Sequence, residues 1–460
     1  MAMVLGVDLG TTKLSTVALE WPTRRLLAVR HRDNQAAVAP GEQDAGRILQ
    51  LAMAMLRDLA GDPALAGQRV AALGVTGQMH GVLLVDRQGL PLTPLVTWQD
   101  QRGAQRQPDG SPSHAQQLAD ELGEAALQRS GGRPATGYGG VTLRRWAREQ
   151  PALLRQARAL SIMDYLVLRL TGRAATDPSI AASWGVADAA AGSWLQQAAA
   201  VIGIDAELLP PIAPAASIAG PLLVEVAADL GLPTDLPIAV AIGDNQASFI
   251  GSVPTIDGAV LFNLGTGGQM SMASPRFVRV PGLETRPLVT GHWLLVGASL
   301  CGGRGYAILA DFFNDVAGSL LNTAVDAAKL YEAMNQAALR HLDDTAGLHA
   351  STLLSGTRQD PHQRGAITGL SPTNFTAGHL CAAFVHGIVD ELTAFYRLAH
   401  DAGIKAQRLV GSGNAIRRNP AMREAAQRQM GLAMTIPDVQ EEAAVGAAVT
   451  AAVAAGLHRW

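Results

Sequence analysis

Continuous apolar runs that end in short polar turns recur along this chain. The first is Val4-Leu5-Gly6-Val7, which predicts a buried strand. It is followed by Asp8, the turn Leu9-Gly10-Thr11-Thr12-Lys13 and a returning run, Ser15-Thr16-Val17-Ala18-Leu19. A glycine at the tip of such a hairpin lets backbone N–H groups approach an anion closely. Thr11 and Thr12 add hydroxyl groups and Lys13 a cation, while Asp8 stands where a hydrated Mg2+ on a nucleotide needs a carboxylate. From Asp44 to Ala60 the period changes, with Ile48, Leu51, Met55 and Leu59 on one face of a helix. Val70 to Val75 predicts another buried strand, running into Thr76-Gly77-Gln78-Met79-His80-Gly81. Val82 to Asp86 is a further strand, and Leu95-Val96-Thr97-Trp98 leads into Gln99-Asp100-Gln101-Arg102. Polar residues at the ends of buried strands are where α/β domains build sites. Gln105 to Pro134 is polar and helical, an insertion on the first domain, and Leu153 to Thr171 predicts a helical region that contains Asp164.

The prolines at 210, 211, 214, 221, 233 and 237 predict a domain boundary near residue 236, dividing the chain into 1–236 and 237–460. The pattern then repeats. Ile238 to Gly243 reads as a buried strand ending at Asp244-Asn245-Gln246-Ala247, and Ala259 to Leu264 as another running into Gly265-Thr266-Gly267. Asp8-Leu9-Gly10-Thr11-Thr12 parallels Asn263-Leu264-Gly265-Thr266-Gly267. Two such hairpins imply an internal duplication with a nucleotide held between the halves. Further on, Gly411-Ser412-Gly413-Asn414 is a glycine-rich turn. Asn419 and Pro420 read as the N-cap and first residue of a helix to Met430, and Glu441 to Ala448 opens a closing helix of small residues.

Composition narrows the class. At 460 residues the chain is too long for one ordinary core, which favours two α/β domains. A net charge of −3, with acids and bases interspersed, argues against a nucleic-acid partner. Cys301 and Cys381 are far apart and lack metal-ligand spacing, so a reducing cytoplasm is the expected home. The chain starts directly in a strand, without a signal-like segment, and no apolar run reaches the ~18 residues that a membrane span needs.

Taken in order, VDLGTTK, GVTGQMHG, TWQDQRG, GDNQAS, NLGTGG, GSGNAIRRNP and EEAAVGAA resemble the FGGY carbohydrate kinases, from about Gly6 to Ala452. TWQDQR, Thr136-Gly137-Tyr138-Gly139 and Ala181-Ala182-Ser183-Trp184-Gly185 are most similar to the sedoheptulokinases, while GQMHG is shared with xylulokinases. Where the family usually has Lys-Leu-x-Trp, this chain has Leu143-Arg144-Arg145-Trp146. The resemblance implies two ribonuclease-H-like domains of the actin/hexokinase superfold, with mixed central sheets and an interdomain cleft. Sugar would bind mostly on the first domain and ATP on the second.

Residue by residue, the resemblance implies Asp244 as general base, taking the proton of a primary hydroxyl. It implies Mg2+ at Asp8, with Asp244 beside it. Thr11, Thr12 and Lys13 would meet the moving phosphate from one side, and Thr266 and Gly267 the nucleotide phosphates from the other. The ketose would meet Gln78, Met79, His80, Trp98, Asp100, Arg102 and Asn245, with Asp164 and Trp184 on the far wall. Gly303, Gly411, Gly413, Asn414 and Asn419 would form the ATP side. The partners implied are a ketose and ATP, with no membrane; a homodimer is one assembly left open. The substrate expected is sedoheptulose, ahead of xylulose or another pentulose or polyol. A chaperone or filament protein of the same superfold would not need GQMHG and TWQDQR at strand ends. A sugar sensor without activity would not need Asp8 and Asp244.

Overall fold

The computed structural model describes residues 2–357, 360, 362–439 and 441–460. β1 (Ala2–Leu9) and β2 (Lys13–Trp21) form the expected hairpin, closed where Leu9 pairs with Leu14, and β3 (Leu26–Asp33) continues it antiparallel. α1 (Ala45–Ala60) starts where the Asp44 carboxylate accepts the Arg47 N–H, a cap that contributes about 1 kcal/mol. Its predicted face, Ile48, Leu51, Met55 and Leu59, is buried on the first sheet. The chain returns as β4 (Arg69–Gly77), parallel to β1. β1 is apolar over consecutive residues because it is covered on both faces.

The sheet is completed by β5 (Ile218–Pro221), β6 (Pro237–Ala239) and β7 (Ile242–Gly243), in the order β5-β6-β4-β1-β2-β3, with β7 also pairing with β4. The run Ile238 to Gly243 is thus two short strands, and both belong to the first sheet. The proline cluster does not part the sheets at residue 236. The change of sheet falls between Gly243 and Ala259.

Between β4 and β5, α2 (His114–Arg129) and α3 (Gly139–Glu149) build a separate small core around Trp146 and Trp184. Arg144 lies buried in it, paired with Glu121. The helix expected over 153–171 is shorter. Arg158–Leu160 is a strand paired with Leu83–Val85, and α4 (Ile162–Thr171) begins at a capping box made by Ser161 and Asp164. A short α5 (Pro178–Ala182) follows, capped by Asp177.

α6 (Asp244–Ser252) leads to the second sheet: β8 (Ala259–Leu264), β9 (Gly268–Ser274), β10 (Glu284–Pro287), β11 (Trp293–Ser299), β12 (Arg408–Ser412) and β13 (Met434–Thr435), ordered β10-β11-β9-β8-β12-β13. A hairpin, a third antiparallel strand and a parallel strand on the other side repeat the plan of β1, β2, β3 and β4. Its helices are α7 (Gly302–Asp315), α8 (Ala327–Arg340), α9 (Ala377–Asp401), α10 (Asn414–Arg418), α11 (Pro420–Met430) and α12 (Glu442–Ala454).

α6 and α12 lie between the two sheets. Their core joins Val4 and Val17 of the first sheet, Phe249 and Ile250 of α6, Val445 and Val449 of α12, and Leu261 and Val296 of the second sheet. A helix enclosed in this way is apolar all round, which accounts for its alanines. The approach is backbone to backbone. A Cβ on Gly74 would lie 2.0 Å from the Ala447 carbonyl oxygen, and one on Gly446 would lie 1.8 Å from that of Ala247. The atom met first at each point is a backbone carbonyl oxygen, which cannot rotate away. Gly446→Val is therefore expected to cost about 3 kcal/mol or more, read as a lower urea midpoint; a wild-type midpoint would contradict this packing.

Candidate active site

Three parallel strands end together at the cleft. Asp8 of β1 is in register with Thr76 of β4, and Thr76 with Ile242 of β7. Two residues beyond each of these last two come Gln78 and Asp244. Strands two apart in a sheet are separated by about 10 Å, so Asp8 and Asp244 stand on either side of the end of β4. Burial pushes the Asp8 carboxyl up to about 7, helped by the charges of Asp244 and Glu441 and opposed by Lys13. Burial also raises Asp244, to about 6, against the Asn245 N–H and the Arg286 guanidinium. Asp8 Oδ1 is buried with no hydrogen-bond partner among the described residues. An unpaired buried oxygen in a site that resists negative charge fits a cation. Among the described residues no cluster of three or more His, Cys, Asp or Glu is placed to hold a metal.

The first hairpin is fixed from below. Gln43 donates to the Thr11 carbonyl at 3.0 Å and accepts from Gln78 at 2.8 Å. Thr11 Oγ1 donates to Gln78 at 3.3 Å and accepts from the Trp98 indole at 2.9 Å. Thr12, at the tip, is exposed. Lys13 is not directed at the tip: its ammonium binds both oxygens of Glu441, at 2.8 and 2.9 Å, and Ser15 donates to the same carboxylate. Glu441 thus ties the start of α12 to the hairpin, a link that the sequence reading missed because the two residues are more than 400 positions apart.

Met79 and His80 line a small cavity with Tyr138, Ser183, Glu284 and Arg286. His80 has a left-handed backbone, φ 74°, which is rare outside glycine and marks a position held by its surroundings. Its N–H donates to Ser183 Oγ at 3.1 Å, its Nδ1–H to the Ser183 carbonyl at 2.8 Å, and its ring stacks on Tyr138 at 4.3 Å. Asp100 is buried and held by Arg102 at 2.6 Å, while Arg102 also reaches Glu42 at 2.6 Å. This pair braces the Trp98 loop and does not border the cavity. Asn245 accepts from Arg286 at 3.3 Å.

Two expected wall residues are elsewhere. Trp184 is a core residue, packed under Gly139 and 5.5 Å from the Trp194 ring. Asp164 is fully buried in the capping box of α4, where its carboxylate accepts the Ser161 N–H. Both sit in the first unit's interior because a large apolar ring and an N-terminal cap have structural places to fill. Tyr138, Glu284 and Arg286 were not singled out as site residues, since no motif surrounds ETRP and the cavity is assembled from four distant segments.

On the second unit, a cavity of about 840 Å³ is lined by Thr266, Gly303, Tyr306, Tyr331, Asn414 and Asn419, among others. That is within the range of nucleotide-sized sites. The N–H groups of Gly303 and Arg304, at the start of α7, donate to the Gly265 and Thr266 carbonyls at 3.0 Å each. A Cβ on Gly303 would meet the Gly265 oxygen at 2.4 Å, so this wall requires glycine. Gly267 is exposed at the second tip. Asn419 caps α11 as expected, accepting from the Ala421 and Met422 N–H groups. Gly411 and Gly413 lie behind the cavity: Gly411 packs against Met434 and Ile416, and Gly413, with φ 84°, turns over Leu264. Tyr306 and Tyr331 supply aromatic walls of this cavity. Arg144 and Arg145 are remote from it, in the core of α2 and α3. No residue of the first hairpin lines this cavity.

Models of the FGGY family of carbohydrate kinases match almost the whole chain, the N-terminal domain over residues 3–251 and the C-terminal domain over 260–455. The chain belongs to the FGGY family of carbohydrate kinases. It is 30% identical to sedoheptulokinase of Homo sapiens, an alignment that covers 97% of this chain and 96% of that protein. It is 27% identical to a xylulose kinase of Streptomyces coelicolor, over 100% of this chain and 90% of that one. The crystal structure of xylulose kinase from Rhodospirillum rubrum superposes with a TM-score of 0.87 at 26% identity, covering 98% of this chain and 89% of the other. Among the described residues no helix is long and apolar enough to cross a membrane.

The buried Asp164 carboxyl gives a stability test. Burial raises it from the usual 3.8 to about 7, opposed by the hydrogen bond it accepts from Ser161. Its proton is kept in the folded chain and lost in the unfolded one between these values. Its contribution is therefore complete below about pH 4 and disappears as pH rises through 7. Asp164→Asn should lose less stability than wild type between pH 4 and 7, the difference growing by at most about 1.4 kcal/mol per pH unit. Parallel stability curves for the two proteins would contradict the buried neutral acid.

Proposed function

We propose that the protein is an ATP-dependent, Mg2+-requiring kinase that phosphorylates the terminal primary hydroxyl of sedoheptulose, giving sedoheptulose 7-phosphate. The observation that supports it most is the pair of buried strand-end carboxylates, Asp8 and Asp244, set on either side of the end of β4 in a chain that also carries a nucleotide-sized cavity on its second unit. The similarity to human sedoheptulokinase supports the choice of sugar, and the 27% identity to a xylulose kinase keeps xylulose as the second reading.

In this reading Asp8 would hold a hydrated Mg2+, whose charge would offset that of the nucleotide phosphates. Thr266 and Gly267 orient those phosphates, and Tyr306, Asn414 and Asn419 bound the rest of the nucleotide. Asp244 accepts the proton of the sugar hydroxyl at its carboxylate as the phosphoryl group arrives. His80 and Asn245 orient the sugar, and closing the cleft excludes water.

Asp244→Asn should lower kcat ~10²-fold or more with sugar affinity nearly intact. Because the base must be ionised, kcat/KM of the wild type should rise with pH through about 6, and the part of that rise that Asp244 supplies should be missing in the variant. Equal turnover in the variant would remove Asp244 from the mechanism. The substrate is tested with ATP and a panel of free sugars. Sedoheptulose should give a higher kcat/KM than xylulose, and the opposite order would reject the sedoheptulose assignment.

A further inference from the structure

The cavity around His80 is closed by charge from the other unit. β10 is the edge strand of the second sheet, yet the Thr285 N–H donates to the Gly131 carbonyl at 3.3 Å, and Gln246 donates to the Pro287 carbonyl at 2.9 Å. The strand is thereby stitched to the first unit and to α6. On it, the Arg286 Nε and Nη2 both bind Glu284 Oε2, at 3.0 and 2.5 Å, while Nη1 reaches Asn245 Oδ1 at 3.3 Å. Arg286 is largely buried, with 15% of its side chain exposed, and its charge reaches Asp244 and Tyr138. The pair therefore borders both the proposed base and the His80–Tyr138 wall.

We propose that Glu284 and Arg286 form the distal end of the sugar site and set the length of ketose that the enzyme accepts. The inference rests on the sugar-kinase reading and deepens it. A guanidinium beside a carboxylate offers donors and an acceptor on one surface and carries no net charge. It therefore suits the hydroxyls of an uncharged polyol chain better than an anionic group. Buried polar groups built to bond substrate hydroxyls discriminate strongly against an analogue that leaves them unpaired. The space between the pair and His80 is about 20 Å³, room for one water. A sugar reaches the pair only when these side chains part, so a ketose with more hydroxyls gains contacts that a shorter one leaves unmade.

The test compares kcat and KM for five- and seven-carbon ketoses, and KM for ATP, in wild type, Arg286→Ala, Arg286→Lys and Glu284→Gln. Arg286→Ala should raise KM for the preferred ketose about 10-fold or more and narrow the kcat/KM ratio between the two sugar lengths, with KM for ATP unmoved. Arg286→Lys keeps the charge without the fork and should fall between. Glu284→Gln preserves the shape of the pair, and its ratio decides the matter should the arginine variants not fold. A ratio unchanged in every folded variant, with activity falling equally on both sugars, would overturn the proposal and leave Arg286 acting on Asp244 alone. A wild type inactive on every free sugar would instead overturn the kinase reading itself.

Discussion

Two acidic side chains at the ends of buried strands are the costly feature of this molecule, and the rest of the fold holds them there. Left to solvation alone, Asp8 and Asp244 would turn toward water, where each would ionise near the usual carboxylate value. They are instead fixed by strand register and by α6 and α12, which are wedged between the two sheets. Asp244 is the first residue of α6, so the orientation of that helix is the orientation of the carboxylate. α12 meets α6, β1 and β4 through glycines and alanines at distances that admit no larger side chain. The small residues of the closing helix are thus a requirement of the site as much as of the core. The same helix brings Glu441 to Lys13, so both hairpin flanks are set by one packing arrangement.

Much of this was legible in the sequence, for identifiable reasons. A strand buried on both faces is a continuous apolar run, so β1, β4 and β8 could be read directly. A Leu-Gly-Thr turn after such a run gave both hairpins, and acids placed at strand ends gave Asp8 and Asp244. What failed was information held in three dimensions. The proline cluster before residue 238 has the composition of a linker, but β6 and β7 beyond it pair with β4. Trp184 and Asp164 sit in segments similar to sugar-kinase motifs, yet the ring fills a core and the carboxylate caps a helix. Glu284 and Arg286 lie in a four-residue strand with no motif, and their neighbours come from residues near 80, 138 and 245.

The two halves of the site are built differently. The first hairpin is held by hydrogen bonds among Gln43, Gln78, Thr11 and Trp98. The second is held by the start of α7 and opens on a wide cavity that the second unit makes alone. In the proposed reaction, phosphoryl transfer from a nucleotide in that cavity to a sugar near Asp244 would require the two to converge.

A crystal structure with a non-hydrolysable ATP analogue, Mg2+ and the preferred ketose bears on this account most directly. The account predicts the phosphates on Thr266 and Gly267, the ion linked to Asp8, and a primary hydroxyl within about 2.6–3.2 Å of the Asp244 carboxylate. A triphosphate bound away from both hairpins, or a sugar with no hydroxyl in reach of Asp244, would contradict it.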